Sequence, residues 1–223
     1  MAEVMKLQGV TKKYKTGEED TIALDNINLT INEGEFVAIM GPSGSGKSSL
    51  MHIIGLLDTA TKGEYSLNGQ DVSKLSKTKQ AEIRNTEIGF VFQQFNLLPR
   101  TTVVDNILLP TIYGKIENPE SRAEELAEEV GLGNRKHNKS NQLSGGQIQR
   151  VAVARALIMK PSIILADEPT GNLDSKTSIE IMKLIQDINK KGATIVLITH
   201  EPEIAKFASR TIHLRDGKIE KEK

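Results

Sequence analysis

The sequence predicts an α/β fold, and three observations carry that expectation. An apolar run, Phe36 to Met40, is followed at once by Gly41-Pro42-Ser43-Gly44-Ser45-Gly46-Lys47-Ser48, and then by Leu50, Met51, Ile53, Ile54 and Leu57 at helical spacing. That order is strand, Gly-rich turn, helix, with the G-x-x-x-x-G-K-[ST] spacing of a phosphate-binding loop. Two further apolar runs, Ser162 to Ala166 and Thr194 to Ile198, are joined by one amphipathic segment, which makes a βαβ unit with parallel strands in a sheet covered on both faces. Asn68-Gly69 and Asp216-Gly217 add hairpin turns, hence antiparallel pairs, outside that unit.

At 223 residues the chain is long enough for a sizeable core, and one composite domain over residues 1–223 is the expected organisation. Lys plus Arg equals Asp plus Glu, 29 against 29, so no global field draws the chain to nucleic acid or an anionic membrane, and no nucleic-acid partner is expected. A local basic patch stays open. There is no cysteine, which removes disulfides and thiolate metal sites. No run approaches the ~20 apolar residues of a membrane span. A soluble chain is therefore expected, acting on membranes only through a partner.

In chain order, Val4 to Val10 and Thr21 to Ile31 read as strands flanking a polar loop from Lys15 to Asp20, within which Glu18-Glu19-Asp20 is a solvated acidic run. Tyr14, set among Lys12, Lys13 and Lys15, reads as a half-exposed packing residue. After the first helix comes an antiparallel pair across Asn68-Gly69. Ile88, Phe90 and Phe92 then alternate with Gly89 and Val91 in a strand that ends at Gln93, where α/β proteins place ligand contacts.

From Phe95 to Lys160 the pattern is helical. Asn118 suits a cap and Pro119 the first helical position, and Ala123, Leu126, Ala127 and Val130 share a face until Gly131 ends the helix. Glu124, Glu125, Glu128 and Glu129 are its wet face. Leu143-Ser144-Gly145-Gly146-Gln147 precedes an Ala/Val-rich helix from about Ile148 to Met159. The strand from Ser162 ends in Asp167-Glu168, with Pro169 delaying any helix. Lys176 to Asn189 is the crossover helix, and the next strand ends in Thr199-His200.

Each chemical role follows from residue type and place. Glycines let the loop's N–H groups approach phosphate oxygens, and the helix that follows offers unpaired N–H groups and a positive dipole end. Lys47 supplies a mobile charge for the β- and γ-phosphates, and the Ser48 hydroxyl is placed for Mg²⁺. An ordinary Gly-rich turn is the bland alternative. Beside such a loop, Asp167 can hold Mg²⁺ through its water shell and Glu168 can polarise an attacking water, although two strand-end acids can also be a helix-cap pair. Ser144-Gly145-Gly146 is a second anion-receiving helix start, or equally a plain cap.

Together these residues resemble the ATP-binding cassette (ABC) family of transporter ATPases over essentially the whole chain. Leu143 to Gln147 reads LSGGQ, similar to that family's signature. The resemblance implies a P-loop NTPase (RecA-like) core with an N-terminal antiparallel β portion and an inserted helical subdomain at about 95–160. It implies ATP as ligand with Mg²⁺, and a homodimer formed on ATP binding, in which Ser144, Gly145, Gly146 and Gln147 of one copy close over the nucleotide on the phosphate loop, Gly41 to Ser49, of the other. Carried over by position, Tyr14 would stack on adenine, reversing the packing reading. Gln93 would touch Mg²⁺ or the attacking water, Glu168 would be the catalytic base, His200 the switch residue near the γ-phosphate, and Asp174 part of a loop facing the opposite copy. The loop ends Ser48-Ser49 where many members have Ser-Thr. His52, His137 and His213 match nothing. Ile88 to Pro99, Asn106 to Pro110 and Ala166 to Asp174 are similar to the lipoprotein-release, macrolide-export and antimicrobial-peptide-resistance branch. That branch implies an integral membrane permease as partner and a peripheral place on the cytoplasmic face of the membrane. Two rivals are a permease-free ABC protein of DNA or translation, and an ATP-gated regulatory or cell-division-type subunit that signals without transporting.

Overall fold

The computed structural model describes residues 2–16 and 19–222. Strands β1 (Glu3–Thr16) and β2 (Glu19–Asn32) form a long antiparallel hairpin, so the strands continue through most of the stretch expected to be loop. Within the acidic run Asp20 is exposed and Glu18 lies outside the described residues. Next come β3 (Phe36–Met40), α1 (Lys47–Ile54), β4 (Lys62–Leu67) and β5 (Gln70–Asp71). Helix α2 (Lys77–Glu87), capped by Ser76, leads into β6 (Ile88–Phe92). The helical stretch holds α3 (Val103–Leu108), α4 (Pro119–Glu129) and α5 (Gly145–Leu157). The chain ends with β7 (Ile163–Asp167), α6 (Ser175–Lys190), β8 (Ile195–Ile198), α7 (Pro202–Ala205), β9 (Arg210–Arg215) and β10 (Lys218–Glu222).

Two sheets result. One is antiparallel in the order β2-β1-β4-β5; the other runs β10-β9-β3-β8-β7-β6, parallel except for the β9–β10 hairpin. Period-2 alternation on the central strands sorts the core. Val37 and Ile39 of β3, with Leu165, Val196 and Ile198, pack against the antiparallel sheet and α1. Phe36 and Ala38, with Ile164, Ala166 and Leu197, pack against α3 to α6. At ~1.5–3 kcal/mol per buried large aliphatic side chain, these two layers outweigh the exposed ion pairs such as Lys190–Asp187, each worth ~0–1 kcal/mol.

Both hairpin expectations hold, with positive φ at Asn68, Gly69, Asp216 and Gly217. The βαβ unit does too, β7 and β8 pairing parallel across α6. Two readings change. Asn118 stands at the start of α4 but in a left-handed conformation (φ 48°), with no side-chain cap bond, so its αL tolerance is used and its capping oxygen is not. Helix α5 begins at Gly145, earlier than expected, because Ser144 and Gln147 form a reciprocal capping box that nucleates the Gly-Gly turn. The short helices α2 and α7 had no apolar periodicity to betray them.

Helix α5 lies against β6 with little clearance. A Cβ on Gly89 would stand 2.4 Å from the Ala156 carbonyl oxygen. Gly89→Ala should therefore push α5 off the sheet and cost about 1–3 kcal/mol, read as a lowered thermal midpoint; a parental midpoint would show that the helix can give way freely.

Candidate active site

Strand register builds the site. Phe92 is level with Asp167, Asp167 with Ile198, and Ile198 with Ile39. The next residues out of the sheet are therefore Gln93, Glu168, Thr199 and Met40, on one rim at the carboxyl ends of four parallel strands about 4.8 Å apart. This is the edge at which open α/β sheets bind ligands.

The phosphate loop leaves β3 on this rim. Gly46, at the cap position of α1, has φ 102°, and a Cβ there would lie 2.5 Å from the Ala23 carbonyl; one on Gly41 would lie 2.2 Å from that of Leu214. These two glycines are thus demanded by the chain's own packing against β2 and β9, a reason beyond approach to phosphate. Pro42, Ser43, Gly44 and Ser48 are exposed, Ser49 is half-buried, and no side chain caps α1, which leaves its first N–H groups for an anion. The Lys47 ammonium donates to the carbonyls of Gly41 (2.7 Å) and Pro42 (2.8 Å), arching over the loop. Ser45 is buried, 2% exposed, and its hydroxyl has no hydrogen-bond partner among the described residues; its carbonyl accepts from the Gly217 N–H at 3.0 Å, tying the loop to the β9–β10 turn.

Asp167 and Glu168 are adjacent, yet differently held. Burial, then the Glu168 charge, pushes the Asp167 carboxyl up, against the pull of His52 and Lys47. Glu168 has φ 45°, a conformation sparsely used by non-glycine residues, locked by its N–H to the Ile198 carbonyl (2.9 Å) and its carbonyl to the Gly171 N–H (3.0 Å). Its carboxylate accepts from the Thr199 hydroxyl (3.3 Å), the His200 N–H (3.1 Å) and His200 Nδ1 (2.6 Å). A carboxylate so fixed, half-buried on the rim beneath an exposed His200, can act as a general base with an orienting imidazole. The two acids are not a helix-cap pair: the cap of α6 is Asp174, which accepts from Lys176 and Thr177.

Gln93 is exposed; its amide donates to Asn172 at 3.5 Å, and Asn172 donates back to the Gln93 carbonyl at 2.9 Å. Tyr14 lies on the β1–β2 hairpin, its hydroxyl donating to Asp58 (3.0 Å) and the Lys12 ammonium standing 4.8 Å from its ring centre. Ser144 is exposed, its N–H and hydroxyl form the capping pair with Gln147 and its carbonyl accepts from the Ile148 N–H; Gly145 abuts Leu173 and Gly146 abuts Thr177, so among the described residues none of the three bonds to the phosphate loop. His52 and His137 are exposed and His213 is half-buried in β9.

Three contributors escaped sequence reasoning. Thr199 also accepts the Glu201 N–H, Asn172 links two loops, and Gln149 reaches them from inside α5. Their residue types are unremarkable, and only position gives them work. Among the described residues no helix is long and apolar enough to cross a membrane.

The sequence profile described as ABC transporter matches residues 24–171. The macrolide export ATP-binding/permease protein MacB of Bdellovibrio bacteriovorus is 52% identical over 214 residues, 96% of this chain and 33% of MacB; the chain spans about a third of that relative's length. The uncharacterized ABC transporter ATP-binding protein YvrO of Bacillus subtilis is 52% identical over 218 residues, 97% of this chain and 95% of YvrO. Among solved structures, the dimeric post-hydrolysis state of the ATP-binding cassette MJ0796 bound to ADP and Pi has a TM-score of 0.87 at 49% identity, covering 98% of this chain and 97% of that one.

The Glu168 hydrogen bond, then its charge, raises the His200 pKa above 6.5. Because the folded value is raised, the pair's contribution is complete below the ordinary value and is lost as pH climbs through the raised one. In an NMR titration His200 should have its midpoint above 6.5 in the parent and fall back towards it in Glu168→Gln; an equal midpoint in both would contradict the pairing.

Proposed function

This chain belongs to the ABC transporter family as an ATP-binding, ATP-hydrolysing cassette, and from that premise we propose that it drives a separate integral membrane permease by dimerising around two ATP molecules and reopening after hydrolysis. The observation that supports this most directly is the split of anion-receiving sites. Lys47, Asp167 and Glu168 converge on one rim, whereas Ser144, Gly145 and Gly146 open another helix without touching the phosphate loop of the same copy. Two copies head to tail give each Ser144 a partner nucleotide.

In this reading residues Gly41 to Ser49 cradle the phosphates, Lys47 neutralises the β,γ pair, and Tyr14 stacks on adenine. Glu168, oriented by His200 and Thr199, takes a proton from the attacking water, and His200 senses the γ-phosphate. Mg²⁺ would be held by the Ser48 hydroxyl, the Gln93 amide oxygen and, through water, the Asp167 carboxylate. This all-oxygen set suits a hard cation that keeps waters and shares phosphate oxygens. When bound, it supplies charge neutralisation at the phosphates. Loss of the γ-phosphate removes the charge that bridged the two copies, and they part.

The helical segment at about 95–160 is the inserted subdomain of this scheme within a single cassette, and the permease docks near Gln93 and that segment. The cassette then sits peripherally on the cytoplasmic face of the membrane. Similarity to a macrolide export protein favours export, and the branch resemblance of Ile88 to Pro99, Asn106 to Pro110 and Ala166 to Asp174 widens the cargo to export or extraction of macrolide-, lipoprotein- or peptide-type molecules.

Glu168→Gln saturated with MgATP should run at twice the monomer mass in light scattering, and Lys47→Ala should lower turnover by about 10²-fold or more. A Glu168→Gln protein that stays monomeric with and without its permease would overturn the shared-site scheme.

A further inference from the structure

Gln149 is fully buried (0% exposed) in α5, in the turn after the Ser144 cap. Its amide nitrogen donates to the Pro169 carbonyl at 2.7 Å and, more weakly, to the Phe92 carbonyl at 3.4 Å. The orientation of the amide is not arbitrary, because turning it over would set its oxygen against two carbonyl oxygens. Its own oxygen, and the buried Thr170 hydroxyl beside Pro169, have no hydrogen-bond partner among the described residues. A methionine would fill the same space and remove the unpaired amide oxygen, but it would also take the donor from the buried Pro169 carbonyl, so the amide does more here than fill volume.

The two carbonyls belong to the residue before Gln93 and the residue after Glu168. Around them the backbone is already tight, Gly171 bonding back to Glu168 and Asn172 bonding the Gln93 carbonyl from the exposed side. Gln149 and Asn172 thus clamp the same two segments, one from the core and one from solvent.

We infer that Gln149 is a positioning residue for hydrolysis, a buried clamp that fixes the spacing of Gln93 and Glu168 and ties both to the helix that Ser144 caps. The inference rests on the roles proposed above for Gln93 and Glu168. With the clamp removed, the carboxylate and the amide lose their common reference, while the phosphate loop, anchored on β3 and the β9–β10 turn, keeps its own.

The test uses the full purified chain, with turnover counted per bound nucleotide so that misfolded protein does not contribute. Gln149→Met should keep the ATP affinity and KM of the parent, lower kcat about 10- to 100-fold, and raise several-fold the Mg²⁺ concentration needed for half-maximal turnover. A packing role alone would not move the Mg²⁺ requirement. Gln149→Asn, with the same donor on a shorter stem, should fall between the two, and it decides the matter if the methionine protein does not fold. Parental kcat and Mg²⁺ dependence in the variant that folds, with turnover abolished in Glu168→Gln, overturn the clamp alone. Full turnover in Glu168→Gln overturns the reading of the site and the clamp with it.

Discussion

Four parallel strands that stop at one level are the constraint on which the rest of this molecule depends. A single register, Phe92 to Asp167 to Ile198 to Ile39, delivers residues from four distant parts of the chain to one rim. A one-residue slip in any pair would turn its side chains to the opposite face of the sheet. It would also bury a carboxylate that must remain wet on one side. Two hydrophobic layers hold that register, because every central strand is buried on both faces and has no solvent-facing alternative.

Around this rim the charges are held by neutral or opposite groups that keep them aimed. The Lys47 ammonium rests on two carbonyls, Glu168 rests on Thr199 and His200, and Asp167 is restrained by burial against its own ionisation. The left-handed backbone at Glu168 costs of order 1–3 kcal/mol. It is held by two backbone hydrogen bonds, against the preference of the following Pro169 for an extended residue before it.

Connection between the rim and the far helix start runs through packing. Helix α5 lies directly on β6 at Gly89, and the loop after β7 and the first turn of α6 lie against α5 at Leu173 and Thr177. Displacement of the Ser144 end is therefore felt by the strands that carry Gln93 and Glu168, since close-packed interiors transmit strain. The Tyr14 cluster is built differently. Its Lys12 and Asp58 form a part-buried pair with the phenol, joining the tip of the β1–β2 hairpin to the turn after α1.

The sequence by itself determined the phosphate loop, the strand-end acids, both hairpins and the βαβ crossover, because each is written in contiguous residues at a recognisable spacing. It could not show that Gly41 and Gly46 are required by the carbonyls of Leu214 and Ala23, that His200 is bonded to Glu168, or that Gln149 and Asn172 bind the same two segments. These were decided by tertiary structure alone. Each joins residues far apart in the chain, and hydrogen-bond partners across a sheet are chosen by strand order and register, which no local pattern of residues encodes.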